Sequence, residues 1–213
     1  MGHTMHSHSN AGLVAEAEDP RRNTIVSEAR RHFMADGYAA TRIEPIARAS
    51  TVSTATLYAY FPSKQHLFTA VISDASADFS AQMECVRVSD GQAREQLTLF
   101  ATAYADFMGD PFVRSVFRLV MAERPRFRDV ARHFFDKGRS DFGRPLMAAL
   151  ARLSERGELK IDKPSWAAGQ LMGMIEHPVF FMPLVTGDEV QAARSNPQIA
   201  ADAVETFLAR YGV

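Results

Sequence analysis

The stretch from Ser53 to Lys64, STATLYAYFPSK, combines hydroxyls, small side chains and one cation. These are groups suited to a surface that meets a polyanion. Lys64 falls in the first turn of a helix beginning at Ser63, where a cation opposes the macrodipole at a cost of roughly a few tenths of a kcal/mol. An anion over that end reverses the sign. A phosphate suits, because the free backbone N–H groups point the same way. Tyr60, just upstream, can donate its hydroxyl to the same phosphate backbone. Tyr58 lies about 200° round the helix from it, so one ring packs inward with its hydroxyl at the rim and the other faces out. Ser53, Thr54, Ala55 and Thr56 form the first turn of this helix. Their small size permits close approach, and their hydroxyls and methyls suit base edges and thymine methyls in a major groove.

Such a surface needs elements to position it. Asp19-Pro20 reads as an N-cap followed by proline at the first helical position. Ile25, Ala29 and Phe33 keep a four-residue spacing, widened by Val26 and Met34, until Asp36-Gly37 closes the segment with a left-handed cap. Thr41-Arg-Ile-Glu44 fits a capping box opening a second short helix, with Pro45 tolerable so close to its start. Ser50-Thr51 interrupts, and Ser53 caps a third helix carrying Leu57 and Phe61. Together these make a helix-turn-helix. A fourth, long helix from Ser63 carries Phe68, Ile72, Ala75, Phe79, Met83 and Val86 on one face and has no breaker. It joins this module to the body without a flexible linker.

Helical periodicity continues to the end. Leu97, Phe100, Tyr104 and Phe107 mark one helix, and Val113, Val116, Phe117 and Val120 another. Residues 127–156 read as one long or slightly broken helix ended by Gly157. Asp162-Lys-Pro164 starts a very apolar one, and Ile199, Ala203, Val204, Phe207 and Leu208 mark the last. No alternating stretch long enough for a strand occurs, so the expected fold is all-α. The expected organisation is a disordered tail over 1–19, a helix-turn-helix domain over 20–68 and a ligand-binding and dimerisation domain over 69–213.

Composition narrows the partners. The chain has 213 residues, 46% of them hydrophobic, enough for a real core. Its apolar runs are short and broken by charges, which argues against a membrane span, and MGHTMHSHSN does not read as a signal peptide. One cysteine, Cys85, excludes an internal disulfide and fits a reducing cytosol. Formal net charge is −1, but residues 20–72 carry +4, which places a positive module on a mildly acidic body.

Residues 22–68 resemble the DNA-binding domain of the TetR family of bacterial regulators. The resemblance runs through Ile25, Ala29, Phe33, Gly37-Tyr38, Thr41, Ile46-Ala47, Val52-Ser53, Thr56-Leu57-Tyr58, Tyr60-Phe61, Ser63-Lys64 and Leu67. It implies a homodimer whose two heads read a (pseudo)palindromic double-stranded operator, usually as a repressor released by a small ligand. Carried over by position, Thr41, Tyr60 and Lys64 hold phosphates, Thr54, Ala55 and Thr56 face bases, and Tyr58 stands at the groove edge. Arg42 reaches a base or a phosphate, and Arg21 or Arg22 the neighbouring backbone. Thr51 stands where the family commonly has glycine, so a β-branched residue is expected in a strained conformation.

Two body segments, FRLVMAERPRF (117–127) and LSERGELKID (153–162), are similar to AcrR-like regulatory domains. That implies dimerisation through the last two helices, where Gly169 and Gly173 permit close approach. Phe100, Tyr104, Phe107, Phe117, Met121, Phe134, Phe135 and Phe142, with Met172, are candidates to line a cavity for an apolar or aromatic effector. Glu176-His177 interrupts a strongly apolar helix just before Pro178. The pair either anchors a ligand or marks a helix break at the dimer surface, and its 100° separation argues against one metal site.

No metal or cofactor is expected. The chain carries no G-x-S-x-G, no H-E-x-x-H, no phosphate-binding loop and no paired cysteines, so an α-helical enzyme is disfavoured. An activator, or a regulator without a ligand, fits the sequence as an alternative to a repressor.

Overall fold

The computed structural model describes residues 19–84 and 91–213. The expectations for the tail, for Cys85 and for the Met83 and Val86 side chains lie outside them. The described residues form helices joined by turns and loops and contain no strand, only an isolated antiparallel bridge between Leu159 and Gly212.

Helix α1 (Pro20–Ala40) starts as its sequence demands: Asp19 accepts the Arg21 N–H at 2.9 Å, and Pro20 takes the first position. At Gly37 the backbone swings to φ 72°, a conformation glycine adopts without a Cβ penalty, and the helix kinks there. The expected capping box does not form. Thr41 is buried, and its hydroxyl donates to the carbonyls of Gly37 at 2.6 Å and His32 at 3.2 Å. Helix α2 (Ile43–Ala49) therefore begins after Arg42, without a side-chain cap.

Helix α3 (Thr54–Tyr60) follows a tight turn, capped by Ser53, whose Oγ accepts the Thr56 N–H at 3.0 Å. Thr51 sits at φ 54°, the strained position expected of a β-branched residue in a glycine's place. Helix α4 (Lys64–Glu84) has no interruption, and Leu67, Phe68, Val71, Ile72, Ala75 and Phe79 form its buried stripe.

In the body, α5 (Ala93–Met108), α6 (Pro111–Glu123) and α7 (Arg128–Gly138) lead into a π-helical turn, Arg139–Gly143, and then α8 (Arg144–Glu155). The predicted long helix is thus one helical path widened by a single π turn. Helix α9 (Pro164–Glu176) continues through a second π turn, His177–Phe181, into α10 (Met182–Thr186). Pro178 widens the helix without ending it, because the π turn accommodates its missing N–H. Gly187, at φ 66°, ends the run, and a Ser195–Gln198 capping box opens α11 (Asn196–Tyr211). Helix α11 packs on α5 and α9, while α1 and α7 flank α4.

Arg114, a cation inside the core, has a structural role. It donates to Asp188 Oδ1 at 2.7 Å and to the Gly109 carbonyl at 2.6 Å, fixing the chain between α10 and α11.

Candidate nucleic-acid interface and effector cavity

On α3, fully buried Leu57 anchors the helix and turns Ser53, Thr54, Ala55 and Tyr58 outward. Thr56 is half-buried, and its hydroxyl shares a 2.8 Å hydrogen bond with Ser53. Tyr58 is the outward ring, 45% exposed, and Tyr60 the inward one, half-buried, as the helical angle requires. Arg21, Arg22 and Arg42 are exposed around this face, with the Arg22 guanidinium 5.5 Å over the Phe61 ring.

The three residues assigned to phosphates differ from expectation in their present partners. Thr41 faces inward, so its side chain fixes the α1–α2 connection and does not face a phosphate in this conformation. Tyr60 donates its hydroxyl to Asp19 Oδ2 at 2.6 Å. This bond holds the Asp19 carboxyl below its usual range and pushes the Tyr60 hydroxyl up. Lys64 donates to the Ala39 carbonyl at 3.2 Å and stands 4.6 Å over the Tyr38 ring. Burial, and then the Arg126 charge, lower its pKa. Two of its three N–H donors are left for another acceptor.

Tyr38 belongs to a cluster tying this module to the body. Phe33, Tyr38, Phe68 and Phe127 form successive ring contacts, with Phe127 coming from the turn between α6 and α7. Arg30 reinforces the junction through ion pairs with Asp74 and Asp78 of α4 and by lying 5.3 Å over Phe112.

In the body, α4 to α9 and the two π turns surround a cavity of about 1240 Å³. Of the predicted lining residues it brings together Tyr104, Phe117, Met121, Phe135, Met172 and Glu176, along with Phe134 and Phe142. Phe100, Phe107 and His177 do not line it. Phe100 stacks behind Tyr104 at 5.5 Å, and Phe107 packs against Phe79 and Phe142, each at 4.9 Å. The Glu176 and His177 side chains meet different surroundings. Glu176 lines the cavity and accepts a hydrogen bond from the Tyr104 hydroxyl, while His177, about 100° round the helix, is exposed and stacks on Phe181. Burial, and then the Glu176 charge, raise the Tyr104 hydroxyl well above its usual pKa. Sequence reasoning missed the mouth, where Arg124, Arg128, Arg132, Lys137, Arg139 and Arg144 gather. They span a turn, α7, a π turn and the start of α8; Arg124, Arg128 and Arg132 keep a four-residue spacing, but such a charge run reads equally as a solvated helix face.

The bulk of the chain, residues 95–213, matches the family model of the AefR-like transcriptional repressor C-terminal domain, and residues 25–71 match that of bacterial regulatory proteins of the tetR family. The chain belongs to the TetR family of DNA-binding transcriptional regulators. Where the sequence shows an AcrR-like resemblance in the body, the matching model is AefR-like.

Solved structures agree in fold. A Mesorhizobium loti MAFF303099 protein assigned to the same family superposes with a TM-score of 0.74 at 24% identity, over 91% of this chain and 97% of that one. The flavonoid-responsive regulator FrrA gives 0.67 at 26% identity, over 90% and 97%. FadR from Bacillus subtilis, in complex with stearoyl-CoA, gives 0.65 at 18%, over 87% and 96%. No curated protein matches the chain significantly in sequence. No described helix is long and apolar enough to cross a membrane.

Proposed function

We propose that the chain is a homodimeric repressor that binds a (pseudo)palindromic operator and is released from it by a small, apolar or aromatic molecule in the body cavity. The observation that carries this reading is α4. Its first turns hold Phe68 in the ring cluster of the DNA-reading module, and its later turns supply Ser76 and Phe79 to the cavity wall, with no break between. A ligand that displaces the wall acts on a rod whose other end carries the recognition helix. Two recognition helices must meet successive major grooves about 34 Å apart, so a small swing of α4 suffices for release. Release also requires the ligand to favour the swung arrangement energetically.

In the bound state Thr54, Ala55 and Tyr58 face the groove with Ser53 and Thr56, while Lys64, Tyr60 and the exposed Arg21, Arg22 and Arg42 approach phosphates. Dimerisation uses α9–α10 and α11. Exposed Trp166, Phe181 and Val185 near Gly169 and Gly173 support this, since large apolar side chains beside open glycines suit close helix pairing. The flavonoid response of FrrA is consistent with a cavity walled by aromatic rings.

The test is selection of bound sequences from a random duplex pool, followed by anisotropy titration of the recovered site over a salt series. Enrichment of a two-fold symmetric site supports the reading. A folded dimer that enriches nothing at low salt, with or without candidate effectors, sinks it.

A further inference from the structure

The cavity wall separates apolar from charged surface. Inside stand Phe79, Phe117, Phe134, Phe142, Met108 and Met172, and at the mouth stand the cations. Arg132 pairs with Asp136 at 3.7 Å and Lys137 with Asp141 at 3.1 Å. Arg124, Arg128, Arg139 and Arg144 form no ion pair among the described residues. Between these arginines, Met121 is 60% and Phe135 62% exposed, so apolar surface continues from the interior out to the cationic rim.

From this arrangement we infer that the effector is an anionic amphiphile, with its apolar chain in the aromatic interior and its carboxylate or phosphate on the four rim arginines. This rests on the reading of the cavity as the effector site and narrows the ligand's class. A neutral aromatic gains nothing from the solvated arginines, and a cation is repelled by them. The orientation follows from the far end of the cavity. There the Glu176 carboxyl already accepts from Tyr104, and a second acidic group would meet an acceptor with no spare donor. The acidic end therefore stays at the mouth, where guanidinium forks bind carboxylate and phosphate oxygens in pairs.

Placement of the arginines ties head-group capture to the DNA-reading module. Arg124 and Arg128 flank the turn whose Phe127 sits in the ring cluster with Tyr38 and Phe68. Arg139 and Arg144 bracket the π turn whose Asp141 accepts a hydrogen bond from Ser80 of α4. An anion drawn to either pair pulls on a segment already bonded to α4 or to the head.

Calorimetry of the full chain without DNA tests this directly, using dodecanoate, dodecanoyl-CoA, 1-dodecanol and dodecylammonium below their micelle-forming concentrations. At least one anion binds about tenfold or more tightly than the alcohol, and the ammonium is weakest. A preference for dodecanoate identifies a free carboxylate, and one for dodecanoyl-CoA a phosphate-bearing thioester. The exposed pairs Arg124→Gln/Arg128→Gln and Arg139→Gln/Arg144→Gln each lose about tenfold for the anion while the alcohol is unaffected. Arg128→Lys alone keeps most of the affinity. Equal binding of alcohol and anions, preference for the ammonium, no binding of any amphiphile, or anion affinity unchanged in both double variants overturns the inference. Because no DNA is present, operator selection can fail or succeed independently of this result.

Discussion

Phe127, on the turn between α6 and α7, stacks on Phe68 of α4 with ring centroids 4.6 Å apart and planes inclined by 28°. Tyr38 of the DNA-reading module meets both rings edge-on, at 4.8 and 5.1 Å. Among the contacts by which the body reaches the head is thus a buried side chain on a turn that also borders the cavity.

Truncating that side chain leaves a void against the Tyr38 and Phe68 rings. Phe127→Ala is expected to cost about 3–5 kcal/mol of stability, and Phe127→Leu, which nearly conserves volume, less than about 2 kcal/mol. Urea denaturation measures both. Equal midpoints for the two variants would show that the cluster does not hold the junction together.

At the other end of the cavity, Tyr104 keeps its proton in the folded state to higher pH than in the unfolded chain. The folded state then binds more protons above the ordinary tyrosine pKa, and stability falls as pH rises through and beyond about 10. Stability should be fully retained below that pH. Tyr104→Phe should make the alkaline limb of the denaturation curve shallower, at a cost near neutrality of about 1–3 kcal/mol for the Glu176 carboxyl left without its donor. An alkaline limb unchanged by the substitution would contradict the assignment.

Much of this was legible in the sequence, for physical reasons that differ by region. Asp19-Pro20 and Ser53 are local signals, and each helix starts where its cap stands. The opposed faces of Tyr58 and Tyr60 followed from helix geometry alone, and the strain at Thr51 from the glycine that the TetR family commonly has there. Side-chain partners distant in sequence were not legible. Thr41 looked like a capping residue until the Gly37 carbonyl, exposed by the kink, claimed its hydroxyl. Periodicity marked Phe100 and Phe107 as inward-facing, but it does not distinguish a cavity wall from solid core. The rim arginines resembled any solvated charges until the fold brought them to one mouth.

The bond between Tyr60 and Asp19 makes a prediction about DNA. If the Tyr60 hydroxyl goes to a phosphate, it must leave Asp19, and the carboxylate it leaves adds a negative charge near the duplex. Asp19→Asn should therefore bind the selected operator more tightly, most clearly at low salt, while Tyr60→Phe binds less tightly to the same preferred site. The carboxyl titration of Asp19, followed by NMR, should move up toward the ordinary range in Tyr60→Phe. In wild type, the stabilising contribution of its lowered pKa is present above the ordinary carboxylate range and is lost as pH falls through the folded value. Unchanged operator affinity in both variants would remove Tyr60 from the interface.

Lys64 has donors to spare beyond the Ala39 carbonyl, so one phosphate contact is expected of it. Lys64→Ala should lower operator affinity uniformly across sequences and make the slope of log K against log salt shallower by about 0.9. Anisotropy titrations from low to moderate salt read the slope. A changed base preference with an unchanged slope would assign Lys64 to base reading.

Thr51 gives the last prediction. Its φ of 54° is a conformation that costs a residue bearing a Cβ roughly 1–2 kcal/mol, and its β-branch adds crowding. Two hydrogen bonds hold the turn around it: Thr51 N–H to the Arg48 carbonyl at 3.1 Å and Val52 N–H to the Ala47 carbonyl at 3.0 Å. Both are made by the backbone and survive removal of the side chain. The Thr51 hydroxyl donates only to the adjacent Ser50 carbonyl, at 2.7 Å on an exposed residue where water can replace it. Thr51→Gly should therefore stabilise the protein by up to about 1 kcal/mol, the strain relieved exceeding the backbone entropy glycine adds to the unfolded chain. Thr51→Pro should unfold the head, because proline fixes φ near −65° and deletes the N–H that Arg48 receives. A glycine variant less stable than wild type in urea would mean that the hydroxyl, and not the backbone, holds the turn between α2 and α3.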